Sequence, residues 1–114
     1  MSEKHKPPFT GFTGPDVAAL SKSAVTRTYP KNTIILNEGD ETDSLYVILS
    51  GRVKVFVANE EGREIVLDVQ GPGEYFGEMV LDEGPRSASV MTLEPCRLQL
   101  IPKEDIKEIG RAHV

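Results

Sequence analysis

Glu78 and Arg86 stand eight residues apart, on either side of a short segment bounded by Gly77 and by Gly84-Pro85. A cyclic phosphodiester spreads one negative charge over two exocyclic oxygens, and an arginine meets both with a planar fork of donors that lysine lacks. A carboxylate, acceptor-only when ionised, suits a ribose 2'-hydroxyl and also gives the arginine a partner when no ligand is present. Gly77 permits close backbone approach, and a single helical turn from Gly77 to about Leu81 would aim its free amides at the same phosphate. Ser87 adds a hydroxyl beside the arginine. Ser87, Ala88 and Ser89 alternate as in a strand leaving the site, with the two serines on one side and Ala88 on the other. In isolation a Glu and an Arg at this spacing are solvated surface charges worth little. The glycines, the proline and the small residues in this order point instead to a ligand carrying both a sugar hydroxyl and a phosphate, as a nucleotide does.

The run Phe76-Gly77-Glu78-Met79-Val80-Leu81, then Asp82-Glu83-Gly84, then Pro85-Arg86-Ser87-Ala88-Ser89-Val90 resembles the phosphate-binding cassette of the cyclic-nucleotide-binding domain, in particular that of bacterial Crp/Fnr transcription regulators. The resemblance continues upstream through Glu38-Gly39-Asp40 and the segment from Asp43 to Gly51, and covers roughly Thr28 to Ile109. It implies that Glu78 takes the ribose and Arg86 the phosphate, that Gly77 and Ser87 support them, and that Met79 and Ala88 complete the binding set. It also implies cAMP as the default effector, with cGMP as the other candidate, and no metal. The stretch between Glu78 and Arg86 is one residue shorter than the family's commonest form, which tightens the turn.

The elements that must carry this site fit in one domain. The chain has 114 residues with a net charge of -5, and no apolar run long enough to span a membrane or to serve as an export signal. The expected location is the cytoplasm. Clustered Lys and Arg are absent, so the chain is not expected to grip nucleic acid by itself. Cys96 is the only cysteine, which excludes an internal disulfide or a cysteine-held cluster and suggests a buried strand residue. His5 and His113 lie in the two tails, so the histidine cluster of a metal-binding cupin is missing. Asp40, Glu41 and Asp43 lack the loop pattern of a calcium site and read as an acidic turn.

Residues 1–14 read as a polar tail, 15–109 as the domain and 110–114 as a tail or truncation point. Pro15 suits the start of a short helix with Val17, Ala18 and Leu20 on its apolar face. Period-two patterns predict strands near 25–29, 33–36, 45–49, 52–58, 63–70, 86–93 and 96–101. Around the turn at 59–62, Val53, Val55 and Val57 on one strand are expected to meet Ile65, Leu67 and Val69 of the next in the core. The glycines between strands fit a mainly β jelly-roll barrel with short flanking helices, the second at 102–109 anchored by Ile106 and Ile109.

No nucleophile-base pair, metal cluster or paired carboxylates indicate an enzyme. The resemblance implies the sensor half of a transcription regulator whose dimerising helix and helix-turn-helix lie outside this chain. DNA would be bound only through that other domain, and no membrane is involved. The whole regulator would be a homodimer, and this chain a monomer or weak dimer. Two alternatives remain at this point: the same sensor linked to another output, and a jelly-roll module that binds no cyclic nucleotide and acts through protein interaction.

Overall fold

Alternating apolar residues pair into two antiparallel sheets. The structure is a computed structural model and describes residues 14–39, 44–77 and 88–112. In chain order the elements are α1 (Gly14–Leu20), β1 (Val25–Tyr29), β2 (Ile34–Leu36), β3 (Ser44–Ser50), β4 (Val53–Ala58), β5 (Glu64–Gln70), β6 (Tyr75–Phe76), β7 (Ser89–Thr92), β8 (Cys96–Pro102) and α2 (Lys103–Ala112). One sheet runs β1-β8-β3-β6 and the other β2-β7-β4-β5. The fold is mainly β and jelly-roll-like with two short helices, as the sequence predicts. The two sheets nevertheless remain separate ladders and do not close into a barrel.

The first sheet is covered on both faces, which explains the nearly continuous apolar run of β3. Leu45 and Val47 pack with Ala18 of α1, Ile101 of β8, and Ile106 and Ile109 of α2. Tyr46 and Ile48, on the opposite face, pack with Leu98 and Cys96 and across to Leu36, Val53 and Val90 of the second sheet. The core thus has two layers, one under the helices and one between the sheets. Ile106 and Ile109 act as the anchors their spacing predicts, and α2 runs on to Ala112, beyond the expected end at 109.

The hairpin between β4 and β5 forms where its turn residues place it. Asn59 accepts through Oδ1 from the amides of Glu61 and Arg63, and its own amide donates to the Arg63 carbonyl. The two rows meet only where Val57 pairs with Ile65, and the β5 row does not enter the core. Val53 is buried, but Ile65, Leu67 and Val69 are 45%, 57% and 42% exposed. The reason is register: Val53 pairs with Gln70 and Val55 with Asp68, so the even-numbered residues of this end of β5 share the inner face. A register shift between Val55 and Phe56 then leaves Leu67 without a direct partner.

The helices are tied together by one carboxylate. Asp105 Oδ2 accepts from the Ser21 hydroxyl at 2.6 Å and from the Ser23 amide at 2.9 Å, joining the end of α1 to the first turn of α2. The Ser21 hydrogen bond is the main cause holding this carboxyl below its usual pKa, with the Ser23 amide adding to it against partial desolvation.

Two expectations follow. Gly51 has φ +86, and a Cβ there would run into the Pro95 carbonyl and the Cys96 Sγ. Gly62, at φ +80, has nothing within 4 Å of the same position. Gly51→Ala should therefore cost about 2–4 kcal/mol and Gly62→Ala about 1 kcal/mol in urea unfolding; equal costs would contradict the packing at the Gly51 corner. For Asp105 the folded pKa is lowered, so its stabilisation is present above the unfolded carboxylate pKa and is lost as pH falls through the lowered value. Asp105→Ala should destabilise on the order of 1 kcal/mol at neutral pH. The gap from the parent should close as pH falls below the ordinary carboxylate range and through the lowered value, and a gap that persists would show that the carboxylate charge is not what ties the helices.

Candidate functional site

The chain reaches the predicted site by crossing from the second sheet to the first. After β5, the Gly71 amide donates to Glu74 Oε2 at 2.7 Å, and the Glu74 amide returns to the Gly71 carbonyl. This turn is then stitched onto β3: the Gly73 amide donates to the Ile48 carbonyl and the Ile48 amide to the Glu74 carbonyl, each at 2.9 Å. Tyr75 and Phe76 continue as β6, opposite Val47 and Tyr46. The rings of Tyr46 and Phe76 stack with centroids 5.0 Å apart and planes 2° from parallel. Both rings are buried, so the position of Phe76 is fixed by packing as well as by the ladder.

Gly77 follows with φ 92. That backbone is left-handed, so Gly77 does not belong to the helical turn expected from it and instead redirects the chain where a Cβ would be strained. The rest of that expected turn, from Glu78 to Leu81, lies outside the described residues.

The chain returns on the other sheet. Ala88 is half-buried and precedes β7, whose Ser89 and Val90 pair with Phe56 and Val55 of β4. The strand expected from 86 therefore begins at Ser89, and Ala88 lies just outside it. Ser89 is itself buried, and its hydroxyl oxygen accepts from the Glu38 amide at 2.8 Å. This bond ties β7 to the turn after β2, next to the Leu36 and Val90 pair. Farther along, the Thr92 hydroxyl donates to the Pro30 carbonyl at 2.7 Å and accepts from the Thr33 amide at 2.8 Å.

Of the six predicted binding residues, Gly77 and Ala88 are therefore placed, at the ends of β6 and β7 that face the intervening segment. Glu78, Met79, Arg86 and Ser87 lie outside the described residues, as do Asp40, Glu41 and Asp43 of the acidic turn. The inner face of the second sheet carries Val55 and Val90 with Leu36, and on β5 the polar Asp68 and Gln70. Sequence reasoning missed these two polar residues because it assigned the odd-numbered, apolar members of β5 to the interior. The detectable signal was Gln70 itself, an amide closing an apolar strand immediately before a glycine turn.

Cys96 is buried as expected, and burial is the main cause raising its thiol pKa. Its Sγ faces the Arg52 and Glu94 carbonyls, as a protonated donor would. Among the described residues, no cluster of His, Cys, Asp or Glu could hold a metal ion, and no helix is long and apolar enough to cross a membrane.

Residues 26–113 match the family model of the cyclic nucleotide-binding domain. The cyclic AMP receptor protein of Thermus thermophilus is 39% identical over 103 residues, which is 90% of this chain and 48% of that protein. The chain thus spans about half the length of the curated relatives it matches. Among solved structures, the Thermus thermophilus catabolite activator protein superposes with a TM-score of 0.76 at 37% identity, over 84% of this chain and 44% of that one. The cAMP-bound form of the EAL enzyme Bd1971 gives 0.71 at 41% identity, over 75% of this chain and 23% of the enzyme; that enzyme is also known in a cGMP-bound form. With the matched residues spanning β1 from Thr26, every later strand and the whole predicted cassette, the chain belongs to the cyclic nucleotide-binding domain family.

Proposed function

We propose that this domain binds a cyclic nucleotide, cAMP in the first instance, and serves as the cytoplasmic sensor half of a Crp/Fnr-type transcription regulator. The observation that carries the reading is the cassette from Phe76 to Val90, which lies within the family match and joins β6 on one sheet to β7 on the other. In this reading Arg86 meets the cyclic phosphate and Glu78 the ribose hydroxyl, with Gly77, Met79, Ser87 and Ala88 around them. The domain does no chemistry. Ligand binding is its input, and the regulator binds DNA through a separate domain and acts as a homodimer. The likeness to an EAL enzyme in cAMP-bound form favours one second reading, the same sensor coupled to a different output.

The test is a set of substitutions read by calorimetric titration. Arg86→Ala removes a charge-assisted, largely desolvated contact and should cost roughly 2–5 kcal/mol, about a thirtyfold to several thousandfold loss of affinity. Lysine at this position should rescue only part of it, because it supplies a point charge without the fork. Glu78→Gln keeps one acceptor and should cost less than Glu78→Ala, which also leaves Arg86 unpaired in the free protein. Unchanged affinity in Arg86→Ala at the same salt would exclude the phosphate assignment and favour a jelly roll that binds no cyclic nucleotide.

A further inference from the structure

At its C-terminal end β5 turns its polar residues inward. Gln70 pairs with Val53, which is fully buried and pairs in turn with Thr92 of β7, so the three side chains share the face turned toward the first sheet. Gln70 is only 4% exposed. Its Oε1 is covered and has no hydrogen-bond partner, the one buried side-chain atom in that condition among the described residues. A covered amide oxygen without a donor opposes folding, and an apolar side chain of similar size would not carry that penalty. Immediately before it, Val69 is exposed. Stability therefore does not account for the choice of residue.

We propose that Gln70 is a ligand-contacting residue that reads the purine base, an inference that rests on the cyclic-nucleotide function proposed above. The geometry supplies the reach. The row of Gln70, Val53 and Thr92 lies three residues along β7 from Ser89, the first residue of that strand and part of the cassette, which is about 10 Å of strand. A nucleoside whose phosphate sits beside the cassette extends over that scale. It passes the intermediate row formed by Asp68, Val55 and Val90.

The chemistry supplies the preference. A glutamine amide presents an acceptor and a donor side by side, which matches the N6 amine and N7 of adenine as a paired contact. Guanine presents two acceptors, O6 and N7, along the same edge and leaves the amide oxygen without a donor. The acceptor that lacks a partner in the protein is the one adenine satisfies. Because that atom is covered in the free protein, the base must part the facing side chains to reach it, and the bond it makes there is one the unliganded fold does not have.

The experiment compares the parent chain with Gln70→Leu by calorimetric titration with cAMP and with cGMP, alongside thermal melts of both proteins without nucleotide. The expected result is a loss of cAMP affinity of about tenfold or more, a change for cGMP below about threefold, and an unliganded variant that melts no lower than the parent. Gln70→Glu, which keeps the acceptor for N6 and loses the donor to N7, should fall between them. A Gln70→Leu chain with an unchanged cAMP-to-cGMP ratio overturns the assignment of Gln70 and leaves the cyclic-nucleotide reading standing. A variant that melts well below the parent with the ratio unchanged also overturns it, by giving Gln70 a role in the fold. A parent chain that binds neither nucleotide overturns the functional reading, and the assignment of Gln70 with it.

Discussion

The segment between Gly77 and Ala88 is held at its two ends by different sheets, and the rest of the molecule is arranged to keep those ends in place. On one side Phe76 is fixed by its pairing and ring stacking with Tyr46 of β3. On the other, Ser89 is fixed by β4 and by the Glu38 amide. β3 can serve as a rigid support because it is buried on both faces, with the helices on one side and the second sheet on the other.

The layer under the helices occupies the other face of β3. Asp105 joins α1 to α2 through hydrogen bonds to Ser21 and Ser23, while Ile106 and Ile109 sit on the β3 and β8 face. These contacts couple the helices to the same sheet that positions Phe76. β3 thus carries the helix layer on one face and Tyr46, the stacking partner of Phe76, on the other. The apolar side chains on the outer face of β5, by contrast, take no part in the core.

Much of this was legible in the residues themselves. β3, β4 and β8 followed from runs of β-branched and alternating apolar residues, and the hairpin turn from Asn59 and Gly62. The cassette was legible as a motif from the order of Gly77, Glu78, Pro85 and Arg86, and the family match covers it. β6 was not, since two residues between glycines carry no period and are strand only because β3 offers them a partner. The facing of β5 was misjudged for a related reason. A strand's inner face is set by the register of its hairpin, and apolar side chains at Leu67 and Val69 could not reveal that Val53 would pair with Gln70. Gly77 was expected to open a helical turn, but its positive φ places it outside such a turn.

The central claim is that a cyclic nucleotide occupies the space bounded by both sheets next to the Gly77 and Ala88 ends. Amide chemical-shift mapping of the isotope-labelled chain during titration with cAMP tests it most directly. The account predicts saturable shifts at Phe76 and Gly77 on one sheet and at Ala88, Ser89 and Val55 on the other, with the β1 side of the first sheet little affected. Shifts confined to the outer surfaces of β1 and β8, or no shifts at saturating nucleotide, would contradict it.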